Sequence, residues 1–370
     1  MSRRLVLVIK NLFAAFYAMY VIGLGTAAPS QRYSQAECWE ALRAAPQFAT
    51  LASRSRAILK QVLLGDSGIA SRHLVLAPLS EAFELTPDTL NARFAKHAPM
   101  LATQAAEVAL HRADTKPEEI NALLVTTCTG YLCPGLTSYV GERLGLRADV
   151  LALDLVGQGC GAAVPNLRTA SALLGSGQCG KALSVCVEVC SAAFFLDDDP
   201  GVLVSACLFG DGAAAAVLSQ DPHPTHRRVE WKAAESVHSP ADRECLRFEA
   251  RGGMLRNILG REVPALAARH AEALLTGALR KAGVRRAELT GWILHAGGRD
   301  VLVALRERLG LSEADLRWSA AVLREYGNVS SASVLFTLEA ALADHAASGY
   351  WWLASFGAGF SGHGALLLVD

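Results

Sequence analysis

The chain has 370 residues, 52% apolar and 19% charged, with 35 basic side chains balanced by 35 acidic ones. That length and apolar content suffice for one large or two medium cores and exclude a disordered chain. A net charge of zero excludes a general nucleic-acid binder, which needs a basic face to displace counterions, but leaves room for a small local basic patch.

Residues Leu5 to Gly25 are nearly all apolar, broken only by Lys10 and Asn11 and preceded by Arg3 and Arg4. The run is long enough for a membrane span and has the basic flank of a signal segment. Its end, Tyr20-Val21-Ile22-Gly23-Leu24-Gly25, reads instead as a core strand entering a glycine turn. Residues 1–17 are therefore expected to be an extension: an upstream start, a docking helix or a weak membrane contact. The remainder is expected to be a soluble, cytoplasmic protein.

Further on, β-rich apolar runs at Ala122–Thr127, Val150–Val156, Ala182–Val189, Ala213–Leu218, Trp292–His295 and Ala365–Val369 alternate with amphipathic stretches at Leu101–Arg112, Pro165–Leu174, Leu266–Ala282 and Val334–Ala347. This alternation predicts an α/β protein with buried sheets. The polar, proline-containing stretch Ser219–His226 is the best linker, separating residues 18–222 from 223–370. Each half ends on a glycine turn leading into a small-residue strand, Gly210-Asp211-Gly212 in one and Gly357-Ala358-Gly359 in the other, which suggests a duplicated architecture.

Three motifs mislead. Gly23-Leu24-Gly25-Thr26-Ala27-Ala28 fits a dinucleotide fingerprint, but Pro29 follows and the next good helix cap is Ser34, so it reads as a turn. Gly175-Ser176-Gly177-Gln178-Cys179-Gly180 has the same spacing after a helix, where the order is wrong. Gly65-Asp66-Ser67-Gly68 resembles the peptide around a serine nucleophile, yet no histidine precedes it, and it reads as a loop.

The nine cysteines form no CxxC pair, and no His-Glu-x-x-His segment occurs, so no metal site is expected. An odd count in a long chain fits a reducing compartment, with most thiols acting as small buried hydrophobes. Cys160 stands apart. It sits in Asp154-Leu155-Val156-Gly157-Gln158-Gly159-Cys160-Gly161, where a buried strand meets a helix start, and Pro165 fits the first turn of that helix. Free N–H groups and the positive end of the helix dipole there favour a thiolate; a structural cysteine in a tight junction is the equally weighted alternative. A cysteine nucleophile needs a proton-accepting partner and oxyanion donors. His295, ending the run Trp292-Ile293-Leu294, and Asn328, in Tyr326-Gly327-Asn328-Val329-Ser330, offer both.

With the segments Tyr326–Phe336 and Ala206–Ala214, these motifs resemble the chalcone/stilbene synthase-like (type III) polyketide synthases of the thiolase superfamily, from about Tyr20 to Asp370. The resemblance implies a duplicated, layered αβαβα fold with mixed five-stranded sheets and a homodimer. It implies that Cys160 accepts the starter acyl group from acyl-CoA and that His295 is its imidazolium partner. His295 and Asn328 would together hold the malonyl-CoA thioester carbonyl during decarboxylation, without metal or redox cofactor. Condensation repeated on Cys160 would end in cyclisation to a phenolic or pyrone product.

Further positions carry over by the same resemblance. Phe209 matches a phenylalanine between CoA tunnel and cavity; Ser330 and Gly357 match cavity and cavity-scaffold positions. Cys133 falls where the plant enzymes have a methionine crossing the dimer interface. Departures fall at Asn257, where an aromatic gate is lost, and at Cys128, Cys190 and Ala193, where cavity residues change. They point away from a coumaroyl starter and leave a fatty or another small acyl group equally open. Cys128, Cys133 and Cys190 are thus cavity or interface candidates, and the other cysteines besides Cys160 are expected to be structural. The cations that grip CoA phosphates are not cleanly matched: Arg54, Arg56 and Lys60 lie at helical spacing nearby, so an acyl carrier protein stays open as donor. The alternatives are a fatty-acid-initiating ketoacyl-ACP synthase of the same superfamily and a non-catalytic dimeric scaffold or membrane-docking protein.

Overall fold

Alternation with period two along the apolar runs decides the layering. In a computed structural model, which describes residues 19–370, the strands are β1 (Met19–Ala27), β2 (Arg32–Ser34), β3 (Ser71–His73), β4 (Ala122–Thr127), β5 (Leu151–Val156), β6 (Lys181–Glu188), β7 (Gly212–Ser219), β8 (Val229–His238), β9 (Leu246–Arg251), β10 (Met254–Leu259), β11 (Leu289–Leu294), β12 (Gly349–Gly357) and β13 (Ser361–Val369). The helices that matter for the site are α1 (Gln35–Ala44), α2 (Ser53–Leu64), α3 (Pro87–Arg112), α4 (Ala163–Gly175), α5 (Pro200–Leu208), α6 (Val263–Ala282) and α7 (Ser333–Ala343). The expected extension, residues 1–17, lies outside the described residues.

Nine strands join in the order β11-β12-β13-β8-β1-β7-β6-β4-β5. In the first half, β5, β4 and β6 run parallel and β7 and β1 follow antiparallel. The second half repeats the pattern, with β11 parallel to β12 and then β13 and β8 antiparallel. The halves meet where Met19 and Tyr20 of β1 pair with Trp231 and Glu230 of β8. The first half has the five mixed strands expected. The second shows four among the described residues, because nothing there takes the place of β5.

One face of each sheet meets the other across α4 and α7. Leu124 of β4, Ala216 of β7, Leu353 of β12 and Leu367 of β13 share one core with Leu167 of α4 and Leu338 of α7. Their neighbours along the strands point outward: Leu123 and Val125 pack under α3, and Trp352 and Leu366 under α6. The result is an αβαβα stack in which burying both faces of each sheet accounts for the near-continuous apolar strands.

The fingerprint-like Gly23-Leu24-Gly25 is not a turn; it lies inside β1. A Cβ on Gly23 would collide with the Ala109 carbonyl oxygen, and one on Gly25 with backbone atoms of Ala105 and Ala109, all on α3. These glycines let the helix lie directly on the strand. Ser34 does cap α1, in a reciprocal capping box with Glu37. The Gly65–Gly68 and Gly175–Gly180 peptides are loop and helix-to-strand turn.

Candidate active site

The duplication places two helix starts, those of α4 and α7, side by side in the central layer. Cys160 lies in the one-turn 3₁₀ segment Gly159–Gly161 that joins β5 to α4. Asn328 precedes the matching turn, Ser330–Ala332, that leads into α7. His295 directly follows β11 and is tied to β12 by its N–H donating to the Ala354 carbonyl at 2.9 Å.

Asn328 is oriented at both ends of its amide. Its Nδ2 donates to the Gly297 carbonyl at 3.1 Å, locking it to the histidine loop, and its Oδ1 accepts from the Ser330 N–H at 2.8 Å. Phe209 is held beside it, since the Asn328 N–H donates to Leu208 O at 2.9 Å and the Gly210 N–H to Asn328 O at 3.0 Å. Ser330 adopts a left-handed φ of 50°, sparsely populated for a residue with a side chain. Its hydroxyl reaches Cys160 Sγ and Cys128 Sγ, each at 3.3 Å.

The C-terminal end of β12 supports the nucleophile turn. Ser355 Oγ donates to the Gly161 carbonyl at 3.1 Å. A Cβ on Gly357 would strike the Gln158 carbonyl oxygen and the Gly161 backbone, so only glycine fits there.

Charge states differ from the imidazolium–thiolate pair expected. Burial pushes the Cys160 thiol up to about 12; hydrogen bonds from Ser330 and Asn328 oppose that shift, and the nearby Glu188 carboxylate adds to it. Burial also takes the His295 imidazole down to about 4. The helix start does not prevail because the turn is desolvated and a carboxylate lies below it. Both groups rest neutral, and His295 Nδ1 is buried without a hydrogen-bond partner.

An apolar cavity opens onto Cys160. Phe209, Cys128, Cys190, Ala193, Asn257 and Ser330 all line it. Asn257, on β10, turns its amide to Ser205 Oγ at 3.1 Å. Cys38 and Cys207, expected to be structural, line it too, because α1 and α5 face each other across it. Cys133 does not; it is exposed on the loop after β4, two residues from the largely exposed Tyr131. Arg54 and Lys60 are exposed on α2, and Arg56 stacks over Phe48, while Leu59 and Leu63 of the same helix face the cavity.

Sequence reasoning missed Glu188. It ends β6 with its side chain fully buried and accepts from the Cys128 N–H at 3.0 Å, Thr129 Oγ1 at 2.9 Å and Ser330 Oγ at 3.3 Å, and from Ser331 Oγ. Burial raises its carboxyl above the ordinary range despite these donors. The signal was present: a carboxylate closing the otherwise apolar run Ala-Leu-Ser-Val-Cys-Val must find buried partners.

Two family models together match residues 19–362: one described as FAE1/Type III polyketide synthase-like protein over residues 19–247, the other as Chalcone and stilbene synthases, C-terminal domain, over residues 240–362. The chain belongs to the type III polyketide synthases. It is therefore an enzyme of acyl transfer by decarboxylative condensation. A 3,5-dihydroxyphenylacetyl-CoA synthase from Amycolatopsis balhimycina is 30% identical over 321 residues, covering 86% of this synthase and 83% of the relative. Another from Streptomyces toyocaensis is 29% identical over 329 residues, covering 86% and 81%. Among solved structures, PKS-I from the brown alga Ectocarpus siliculosus superposes with a TM-score of 0.86 at 24% identity, over 95% of this chain and 98% of that one. The C-terminal type III polyketide synthase domain of Steely1 from Dictyostelium gives 0.84 at 26% identity, over 95% and 99%. The αβαβα stack is thus the thiolase-like fold. No helix among the described residues is long and apolar enough to cross a membrane.

Proposed function

We propose that this synthase loads an acyl starter from acyl-CoA onto Cys160 and extends it with malonyl-CoA. The observation that carries the proposal is that Cys160 lines an apolar cavity while Ser330 and Asn328 hydrogen-bond its thiol, and Asn328 Nδ2 in turn holds the His295 loop at the Gly297 carbonyl. The resting thiol gives its proton to His295 as Sγ attacks the thioester carbonyl; the imidazolium then protonates the departing CoA sulfur. Malonyl-CoA next binds with its thioester oxygen toward Asn328 and His295. Loss of carbon dioxide leaves an enolate, which the two donors stabilise where the charge develops. Its carbon attacks the Cys160 acyl carbonyl, forming the new carbon–carbon bond and releasing Cys160 thiolate. Asn328 is pre-oriented for this by its two backbone contacts, so little reorganisation is required. CoA thioesters are the substrates, and the sequence of steps needs no metal or redox cofactor.

The assembly we propose is a homodimer built on β5. This strand is the sheet's edge, and Leu151 and Val156 on it are 43% and 53% exposed. Such an apolar edge needs cover, and the segment following Cys133 is tied to it where the Thr137 N–H donates to Asp154 of β5 at 3.3 Å. The two halves of the chain, divided near residue 222, then form one cavity per protomer. We place the enzyme in the cytoplasm, where its CoA substrates and free thiols belong.

Mass spectrometry of products made from labelled malonyl-CoA and a panel of acyl-CoA starters tests the reading. It predicts polyketides that carry the starter and lengthen by two carbons per condensation, released free and cyclised. A single condensation product left on acyl carrier protein contradicts it.

A further inference from the structure

Three neighbouring parallel strands bring two thiols and a carboxylate to one end of the sheet. Strand β4 pairs with β5 on one side and β6 on the other, with Thr127 opposite Val156 and Thr126 opposite Cys186. Cys128 follows β4 directly, Cys160 stands in the turn after β5, and Glu188 closes β6. Of the three, only Cys160 takes part in condensation.

Ser330 Oγ lies 3.3 Å from Cys160 Sγ and 3.3 Å from Cys128 Sγ, so a single hydroxyl spans the two sulfurs. Both cysteines are free and both line the apolar cavity, where a small oxidant reaches them together. Cys190 lines it too, but Ser330 contacts no third sulfur among the described residues. Cys128 also has a proton acceptor of its own. Its Sγ donates to Glu188 Oε1 at 3.4 Å, with Oε2 at 3.5 Å. Burial and that carboxylate push the Cys128 thiol well above its ordinary value, which keeps it protonated at rest. Burial also makes Glu188 a stronger base than an ordinary carboxylate. A thiol so arranged is quiet until an electrophilic sulfur comes within reach. Gly157, Gly159 and Gly161 leave the Cys160 turn free of bulky neighbours in sequence.

We propose that Cys128 is a resolving thiol: when a peroxide oxidises Cys160, Cys128 closes a reversible disulfide with it. In the first step the Cys160 thiolate attacks one peroxide oxygen. The O–O bond breaks, Cys160 becomes a sulfenic acid, and the departing hydroxide takes up a proton to become water. In the second step Cys128 Sγ attacks the sulfenic sulfur while its proton passes to Glu188. The S–O bond breaks, the hydroxide leaves with that proton as a second water, and the S–S bond forms. The two thiols together lose two electrons, which the peroxide takes up. A small-molecule thiol reverses the bond by exchange and returns both cysteines to the reduced state. The disulfide thus stores the nucleophile in a recoverable form and spares it oxidation to sulfinic acid, which thiols do not reverse.

The test treats the full chain, without substrate, with hydrogen peroxide at mildly alkaline pH, blocks the remaining thiols with an alkylating agent and maps peptide masses. The wild type should yield a crosslinked pair of peptides holding Cys128 and Cys160, about 2 Da lighter than the two reduced peptides together. Dithiothreitol should release them and restore about nine-tenths or more of malonyl-CoA condensation. Cys128→Ser should instead carry about 32 Da extra on the Cys160 peptide, as sulfinic acid, and recover less than about a tenth of its own starting activity. The wild-type map stands whether or not the variant folds. Sulfinic Cys160 beside an alkylated Cys128 in the wild type, a bond from Cys160 to Cys190, or equal recovery in Cys128→Ser overturns the proposal. Crosslinking is read by mass without substrate, so a chain that crosslinks yet never condenses malonyl-CoA supports this proposal while the synthase reading fails.

Discussion

Cys160 is set up to react only when a substrate is present. Its thiol is pushed up to about 12 by burial, and His295, its proposed proton acceptor, is held neutral down to about 4. Alkylation of the free enzyme should therefore climb about tenfold per pH unit from neutrality to pH 9, following the small thiolate fraction. A plateau already reached at pH 7 would reveal a preformed imidazolium–thiolate pair and contradict a resting state in which both groups are neutral. Removing an enolate donor by His295→Ala or Asn328→Ala should cut malonyl-CoA decarboxylation by roughly a hundredfold or more. Steady-state release of carbon dioxide measures this directly. Ser330→Ala removes the hydroxyl between the two thiols and relieves no strain, since alanine at φ 50° is as unfavourable as serine.

At the scale of elements, backbone contacts set the site's geometry. Gly25→Val puts a branched side chain into α3, and it should destabilise the protein by about 3 kcal/mol or more in urea unfolding. Gly357→Ala should act locally, displacing the Gly159–Gly161 turn and slowing Cys160 acylation while thermal stability changes less. The strands and long helices were legible because buried sheets and amphipathic helices write their periods into the chain: β4 occupies Ala122–Thr127, the span its apolar run predicts. The glycines of β1 were misread because a close helix–strand approach and a tight turn both call for glycine, and only the position of α3 separates them. The missing counterpart of β5 was likewise invisible, since it depends on how the second half folds rather than on any one run. In the site, Cys160, His295 and Asn328 stood out by their glycine-flanked junctions. Glu188 and the cavity roles of Cys38 and Cys207 did not, because they follow from which elements face each other across the cavity.

For the whole molecule, two properties follow from burial. His295 and His363 both have folded-state values lowered to about 4. Between that value and an unfolded value near 6.5, the unfolded chain binds protons that the folded one does not. Their contribution to stability is complete above pH 6.5 and is lost as pH falls toward 4, the unfolding equilibrium shifting by up to about tenfold per pH unit for each histidine. Denaturant midpoints between pH 7 and 4.5 should fall accordingly, and His363→Asn should flatten part of that dependence. The exposed edge of β5 gives the second property. Val156→Lys should convert the proposed homodimer to a monomer in light scattering, with condensation activity falling alongside.

The central claim is that Cys160 carries the growing acyl chain. Intact-protein and peptide mass spectrometry after a brief incubation with acyl-CoA tests it most directly. The account predicts one acyl adduct, located on the peptide containing Cys160, retained in Asn328→Ala and absent from Cys160→Ala. An adduct of the same mass persisting in Cys160→Ala, or residing on Cys128 or Cys190 in the wild type, would contradict it.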